Sequence, residues 1–182
     1  MVVTAERTPL YEEHLRLGAQ MIAFSGWTMP LQYTSIREEH RAVREAVGLF
    51  DLSHMGELRL DDGALAQRVV TRDLNKLRPG RIQYALLCNQ RGGIIDDVLV
   101  YAQPDGGHLL VVNAGNQDSD FDWIRSNGAP SSTGTGAADG GVVNVGRQWA
   151  LIGVQGPKAA GLVQRLTDAD LGGSCGAADL DR

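Results

Sequence analysis

"RIQYALLCNQRGGIIDDVLVYA", residues 81–102, decides the fold. Two apolar runs flank Asn-Gln-Arg-Gly-Gly, the pattern of two antiparallel strands joined by a short glycine-containing turn, so a β-hairpin is predicted over 81–102. Its second strand carries two adjacent carboxylates, Asp96 and Asp97. Successive strand side chains point to opposite faces, so one carboxylate looks outward and the other inward. If Ile94, Ile95, Val98, Leu99 and Val100 mark a strand covered on both faces, the inward carboxylate is costly unless it is paired or hydrogen-bonded. It either satisfies neighbouring protein donors or meets the N–H groups of a ligand, and the spacing leaves both open. Burial would raise its pKa and make it a proton acceptor.

Outward from the hairpin, MGELRL (55–60) and HLLVVN (108–113) read as strands, GALAQRVV (63–70) as a short helix and 116–126 as another. Thr8-Pro9 opens a helix over about 9–17 that Gly18 stops, and MIAFSGWTMPLQYTS (21–35) is irregular or short-stranded. Ser-Ile-Arg-Glu at 35–38 is a capping box; the helix it starts sets Ile36, Val43 and Val47 on one face and stops at Gly48. Residues 126–141 form a Gly/Ser-rich surface loop, WALIGVQGPKAAGLVQRL (149–166) reads as strand, turn and helix, and LGGSCGAADLDR (171–182) holds no periodic element. Interspersed helices and hairpin-linked strands give an α+β fold. The domain reading is an N-terminal segment over 1–50, an α+β region over 51–125, the 126–141 loop, and a strand-turn-helix with its tail over 142–182.

The chain has 182 residues, 43% of them hydrophobic, with 17 basic against 22 acidic residues and a net charge of −5. Without a Lys/Arg cluster it lacks the footprint of a nucleic-acid binder, and without an 18-residue apolar run it lacks a membrane span. Cys88 and Cys175 have no metal-ligand spacing, so no metal is expected and the thiols are ordinary ones in a cytoplasmic protein. The glycines of GTGAADG fall at 134, 136 and 140 outside any strand-to-helix context, which fits a linker and not a phosphate loop. His54 reads as a structural or hydrogen-bonding residue, and Phe24, Trp27, Met29 and Met55 read as core in preference to a ligand box. Tyr84 and Asn113 are polar groups that could line one cavity with the inward carboxylate.

RTPLYEEHLRLGAQMIAFSGWTMPLQYTSIREEHRAVREAVGLFDLSHMGE (7–57), YALLCNQRGGIIDDVLVY (84–101), LLVVNAGNQDSDFDWI (109–124) and ALIGVQGPKAA (150–160) together resemble the glycine cleavage system T-protein family, the aminomethyltransferases. The resemblance implies the N-terminal portion of a folate-binding three-domain fold of mixed antiparallel sheets with flanking helices. It implies an enzyme that moves the methylene of an aminomethyl group, borne on the lipoyl arm of the H-protein, to tetrahydrofolate with release of ammonia. Carried over by position, Asp97 is the catalytic carboxylate facing inward to the folate nitrogens, Asp96 faces away, and Met55, Tyr84, Leu99, Val111 and Asn113 are the cofactor-binding residues. A positioned carboxylate suits that chemistry, since it can orient N–H groups, accept a proton and stabilise developing positive charge.

Two departures stand out. The family's YTGExGFE segment and its C-terminal domain have no counterpart in these 182 residues, which leads us to expect a cavity open on one side and self-association through that surface. The family's usual TNDL is Thr71-Arg72-Asp73-Leu74. A non-catalytic half, or a folate-binding relative in regulation or iron–sulfur assembly, is the competing reading; the relatives' KGCYxGQE signature is absent.

Overall fold

A computed structural model describes residues 5–128 and 141–171. The chain divides into two compact units, one built from residues up to His54 with those from Ala150 onward, the other from Met55–Trp149. Segment 51–125 is thus divided between residues 54 and 55, and segment 142–182 between 149 and 150. Most of the 126–141 loop, Cys175 and the tail from 172 lie outside the described residues.

The first unit contains β1 (Glu6–Arg7), α1 (Tyr11–Arg16), β2 (Gln20–Phe24), β3 (Trp27–Gln32), α2 (Ile36–Glu45) and β4 (Gly48–Asp51). β2 and β3 form an antiparallel hairpin of two short strands, with a register shift between Gln20 and Met21, where the sequence suggested an irregular or short-stranded segment. Ser25 and Gly26 both take positive φ, 48° and 84°, the signature of a two-residue type I′ turn whose twist matches the strands it joins. β1 adds to β3 in parallel. α2 begins at the expected capping box: Ser35 Oγ accepts the Glu38 N–H at 3.3 Å and donates to Glu38 Oε2 at 3.0 Å. Its predicted apolar face is corrected. Ile36 is 58% exposed and lies beside Arg37, His40, Arg41, Arg44 and Glu45, so an arginine-rich stripe that a count along the chain did not suggest gathers on one helix.

At the end of β4, Asp51 is tied down on several sides. Its Oδ2 lies 2.8 Å from His14 Nε2, its Oδ1 accepts the Ser53 N–H at 3.0 Å, and His14 Nδ1 lies 2.7 Å from the Tyr33 hydroxyl. Burial alone would raise its pKa, but the nearby Thr8 hydroxyl and the hydrogen bonds of His14 and Ser53 outweigh that and hold the carboxyl below its ordinary value.

The second unit holds β5 (Gly56–Leu60), α3 (Gly63–Val69), β6 (Ile82–Cys88), β7 (Ile94–Ala102), β8 (His108–Val112), α4 (Gln117–Asn127) and β9 (Val142–Asn144). Its five strands form one antiparallel sheet in the order β6-β7-β8-β5-β9. The predicted hairpin is β6–β7. Its turn is held by Asn89, whose Oδ1 accepts the N–H groups of Arg91 and Gly93, and by Gly92 at φ 80°. One face of the sheet is the core: Leu58, Leu60, Ala85, Leu87, Val98, Val100, Leu110 and Val112 meet Leu65, Ala66 and Val69 of α3 and Ile124 of α4. β7 is therefore covered by this core on one face, not on both. Residues Asp96, Val98, Val100 and Ala102 are buried, whereas Asp97 and Leu99 are exposed.

The chain then re-enters the first unit as β10 (Ile152–Gln155), antiparallel to β4, and α5 (Ala159–Val163). The Gly-Pro turn between them is fixed by Gly156. It adopts φ 126°, and a Cβ there would lie 2.5 Å from the Val43 carbonyl oxygen and 2.6 Å from that of Ala46. Gly156→Ala should cost about 2–5 kcal/mol, combining backbone strain and overpacking. Gly161, on α5 with open space around it, serves as the control: Gly161→Ala should stabilise by up to about 1 kcal/mol. Urea titration of both variants checks the pair.

Candidate functional site

Directly opposed residues of paired strands project to the same side of a sheet. Tyr84 on β6 opposes Leu99 on β7, Leu99 opposes Val111 on β8, and Val111 opposes Glu57 on β5. These four make a row across the face away from the α3/α4 core. Exposure falls along it, from 46% at Tyr84 and 37% at Leu99 to 5% at Val111 and 4% at Glu57. Two pairs further along the β6–β7 ladder, Asp97 opposes Leu86 on the same face. Asn113 follows β8, and half-buried Met55 precedes β5.

Asp97 is held from two sides. The Tyr84 hydroxyl donates to its Oδ2 at 2.7 Å, and Asn113 Nδ2 donates to its Oδ1 at 3.1 Å. The negative charge of Asp97, through that hydrogen bond, raises the Tyr84 pKa, so the phenol stays a donor. Asn113 Nδ2 also reaches Asp96 Oδ1 at 2.9 Å and the Asp97 carbonyl at 3.1 Å, which commits both its hydrogens and leaves its amide oxygen as the free acceptor. Arg72, in the place of an expected amide, donates from Nε to the Tyr84 carbonyl at 3.3 Å.

The inward and outward carboxylates are the reverse of the expectation. Asp96 is the buried one, 4% exposed, and Asp97 stands on the exposed face. Asp96 accepts the Asn113 N–H at 2.9 Å, Asn113 Nδ2 at 2.9 Å and Asn116 Nδ2 at 2.7 Å. Burial alone would raise its pKa; these donors, with Asp120, hold it below the ordinary carboxylate value. The protein therefore satisfies the inward carboxylate with its own donors. The other carboxylate is the one left on an accessible face.

Sequence reasoning missed two carboxyls. Asp120 on α4 is fully buried against Asp96; burial first, then its hydrogen bond to Asp96 and the charge of Asp96, push its pKa up to about 8. A proton kept on Asp120 turns two repelling carboxylates into a donor and an acceptor. Glu57 is pushed up to about 7 by burial. In the sequence Asp120 looked like a first-turn acid of a helix, and Glu57 alternated with Leu58 as a solvated position does.

Of the other residues singled out, His54 is buried edge-on to Phe24 with ring centroids 5.8 Å apart, and burial lowers its pKa. Met29 is core, Trp27 is half-buried, and Phe24, expected in the core, is 51% exposed. Cys88 is a half-buried free thiol. Among the described residues no group of His, Cys, Asp or Glu could hold a metal, and no helix is long and apolar enough to cross a membrane.

A family model described as the GCVT N-terminal domain matches residues 10–174. The chain belongs to the T-protein family. It is 48% identical over 170 residues to the aminomethyltransferase of Deinococcus deserti, covering 92% of this chain and 46% of that protein. It is 42% identical over 173 residues to an aminomethyltransferase of Bacillus cereus, covering 93% and 45%. The crystal structure of glycine cleavage system aminomethyltransferase T from Bartonella henselae superposes with a TM-score of 0.78 at 31% identity, covering 88% of this chain and 43% of that one. This T-protein chain thus spans less than half the length of the curated relatives it matches, and its α+β architecture of antiparallel sheets with flanking helices is that of the T-protein fold.

Asp120 and Glu57 bind protons more tightly when folded than when unfolded. Stability should fall as pH rises from 3.8, the unfolded value of Asp120, to about 8, and from 4.5 to about 7 for Glu57, with no further loss above. Asp96, with its lowered pKa, acts in the opposite sense and only below pH 3.8. Urea midpoints should therefore be lower at pH 8.5 than at pH 6, and Asp120→Asn, which keeps a donor to Asp96 but cannot ionise, should remove most of that slope.

Proposed function

We propose that this chain carries the tetrahydrofolate-facing carboxylate of a T-protein aminomethyltransferase, with Asp97 as the catalytic residue. The observation that carries the reading is the arrangement of Asp97 with Tyr84 and Asn113 on the accessible face of the sheet, beside Leu99 and Val111. A flat, largely apolar row edged by a fixed carboxylate suits a heteroaromatic ring system that bears N–H groups. Leu99, Val111 and Met55 would lie against the rings, and the free amide oxygen of Asn113 would accept an N–H. Tetrahydrofolate supplies the nucleophilic nitrogens and carries the one-carbon unit away.

In the overall transfer the methylene leaves its sulfur and its amino group and forms two bonds to nitrogen. Two N–H protons are released; one ends on the departing thiol and one on ammonia, so the equation balances. Asp97 is placed to take such a proton, because its two oxygens are oriented by Tyr84 and Asn113 and it stands on a face a ligand can reach. Its negative charge also stabilises positive charge developing at the one-carbon unit. No protein nucleophile is required. The lipoylated H-protein as donor, and the cytoplasm as setting, follow from the same reading.

Asp97 is exposed and its bonds are local, so Asp97→Asn should change stability by less than about 1 kcal/mol. Tetrahydrofolate binding should weaken about 10- to 100-fold, the scale of a lost hydrogen bond to a charged group. Calorimetric titration of wild type and variant tests this, followed by an assay with aminomethylated H-protein. Equal affinities, or a large drop in the apo melting temperature of the variant, would refute the assignment.

A further inference from the structure

Glu57 has no role in the proposed chemistry, yet it is the most anomalous side chain on the face that carries Asp97. It closes the cross-strand row Tyr84–Leu99–Val111–Glu57, and it does so at the row's most buried end. Its Oε2 is inaccessible and has no hydrogen-bond partner among the described residues, while its backbone carbonyl accepts the Val145 N–H at 2.9 Å. The short turn Gly146–Gln148 follows β9 and comes so close that a Cβ at Gly146 would lie 2.6 Å from Glu57 Oε2. The Gly146 N–H itself is given to Asn144 Oδ1 at 3.0 Å and not to Glu57. Among the described residues, Asp51 is served by His14 and Ser53, Asp96 by Asn113 and Asn116, and Asp105 by Arg59, while Asp120, the other buried carboxyl without a protein donor, keeps a proton that it shares with Asp96.

A buried carboxyl without a donor is a standing cost of folding, and such costs are concentrated where a ligand later supplies the missing partner. Glu57 is also not needed to seal the sheet, since an apolar side chain of its size would fill the position without the desolvation cost.

We propose that Glu57 is a second ligand-binding carboxyl, an acceptor subsite for an N–H group at the inner end of the row whose outer end is marked by Tyr84 and Asp97. The inference rests on the assignment of that row to tetrahydrofolate. Strands in a sheet are about 4.8 Å apart and two residues along a strand about 7 Å, so Asp97, two strands over and two residues along from Glu57, lies about 12 Å from it. An extended ligand with donors separated by about that length engages both carboxyls at once. The desolvation that pushes the Glu57 pKa up to about 7 agrees with a group waiting for a partner.

The test is calorimetric titration of tetrahydrofolate into the 182-residue chain as wild type, Glu57→Gln, Glu57→Leu and Asp97→Asn, with the apo melting temperature of each. Glu57→Gln should weaken binding about 10-fold and Glu57→Leu about 100-fold. Both should melt at or above the wild-type temperature without ligand, because no protein hydrogen bond is lost. Unchanged affinity in both Glu57 variants, with binding lost in Asp97→Asn, overturns the Glu57 subsite alone. A lower apo melting temperature in Glu57→Gln overturns it by a second route, marking the carboxyl as structural. Absence of binding by folded wild type overturns the tetrahydrofolate reading of the whole row and the subsite with it.

Discussion

Everything distinctive about this sheet depends on the burial of one carboxylate. Asp96 sits on the core face of β7 next to Val98 and accepts three hydrogen bonds from Asn113 and Asn116. Those bonds tie the middle of the hairpin to the segment between β8 and α4. Because strand side chains alternate, they also fix which face Asp97 occupies. A slip of one residue would strand Asp97 among apolar side chains and expose Asp96 with its donors unused, so the register is strongly determined. The accessible carboxylate is placed by its buried neighbour. That is why two acids stand side by side in an otherwise apolar strand.

The same segment connects the sheet's two faces. Asn113 gives its backbone N–H and one side-chain hydrogen to Asp96 on the core side, while also reaching Asp97 on the accessible side. Asp120 protects the arrangement from within by retaining a proton next to Asp96. The accessible face then combines two kinds of surface. Leu99 and Val111 supply apolar area without shape demands, and Asp97, Tyr84 and the Asn113 amide oxygen supply a small set of directed polar groups, the usual division of labour in a site for a planar ligand.

Much of this fold was legible in the sequence because its signals are local. The 81–102 hairpin, the Ser35–Glu38 capping box and the strand at 108–112 depend on turn chemistry, capping and periodicity, all of which act over a few residues. The Ser25-Gly26 turn was there to be read as well, but Gly26 and Pro30 in an aromatic-rich run left the segment open between irregular and short-stranded. The strand at the start of 149–166 was legible, but its pairing with β4 across a hundred residues was not, and the three-residue β9 leaves no periodic trace. The site residues were named by family resemblance, and their convergence depends on strand pairing that no local pattern encodes. The order of burial of Asp96 and Asp97 was unreadable for a further reason. Both faces of β7 carry apolar residues, one set for the core and the other on the accessible row, so alternation gave no phase. Glu57 and Asp120 were hidden because burial of an acid is decided by what covers it.

The central claim is that the face bearing Tyr84, Asp97, Leu99, Val111 and Asn113 binds tetrahydrofolate. Backbone amide chemical shifts of the isotopically labelled chain, followed as tetrahydrofolate is added, test it most directly. The account predicts saturable shifts confined to those residues and their strand neighbours, with the amides of α2 left in place. Shifts clustered along the Arg37–Arg44 stripe, or none in the sheet at saturating ligand, would contradict it.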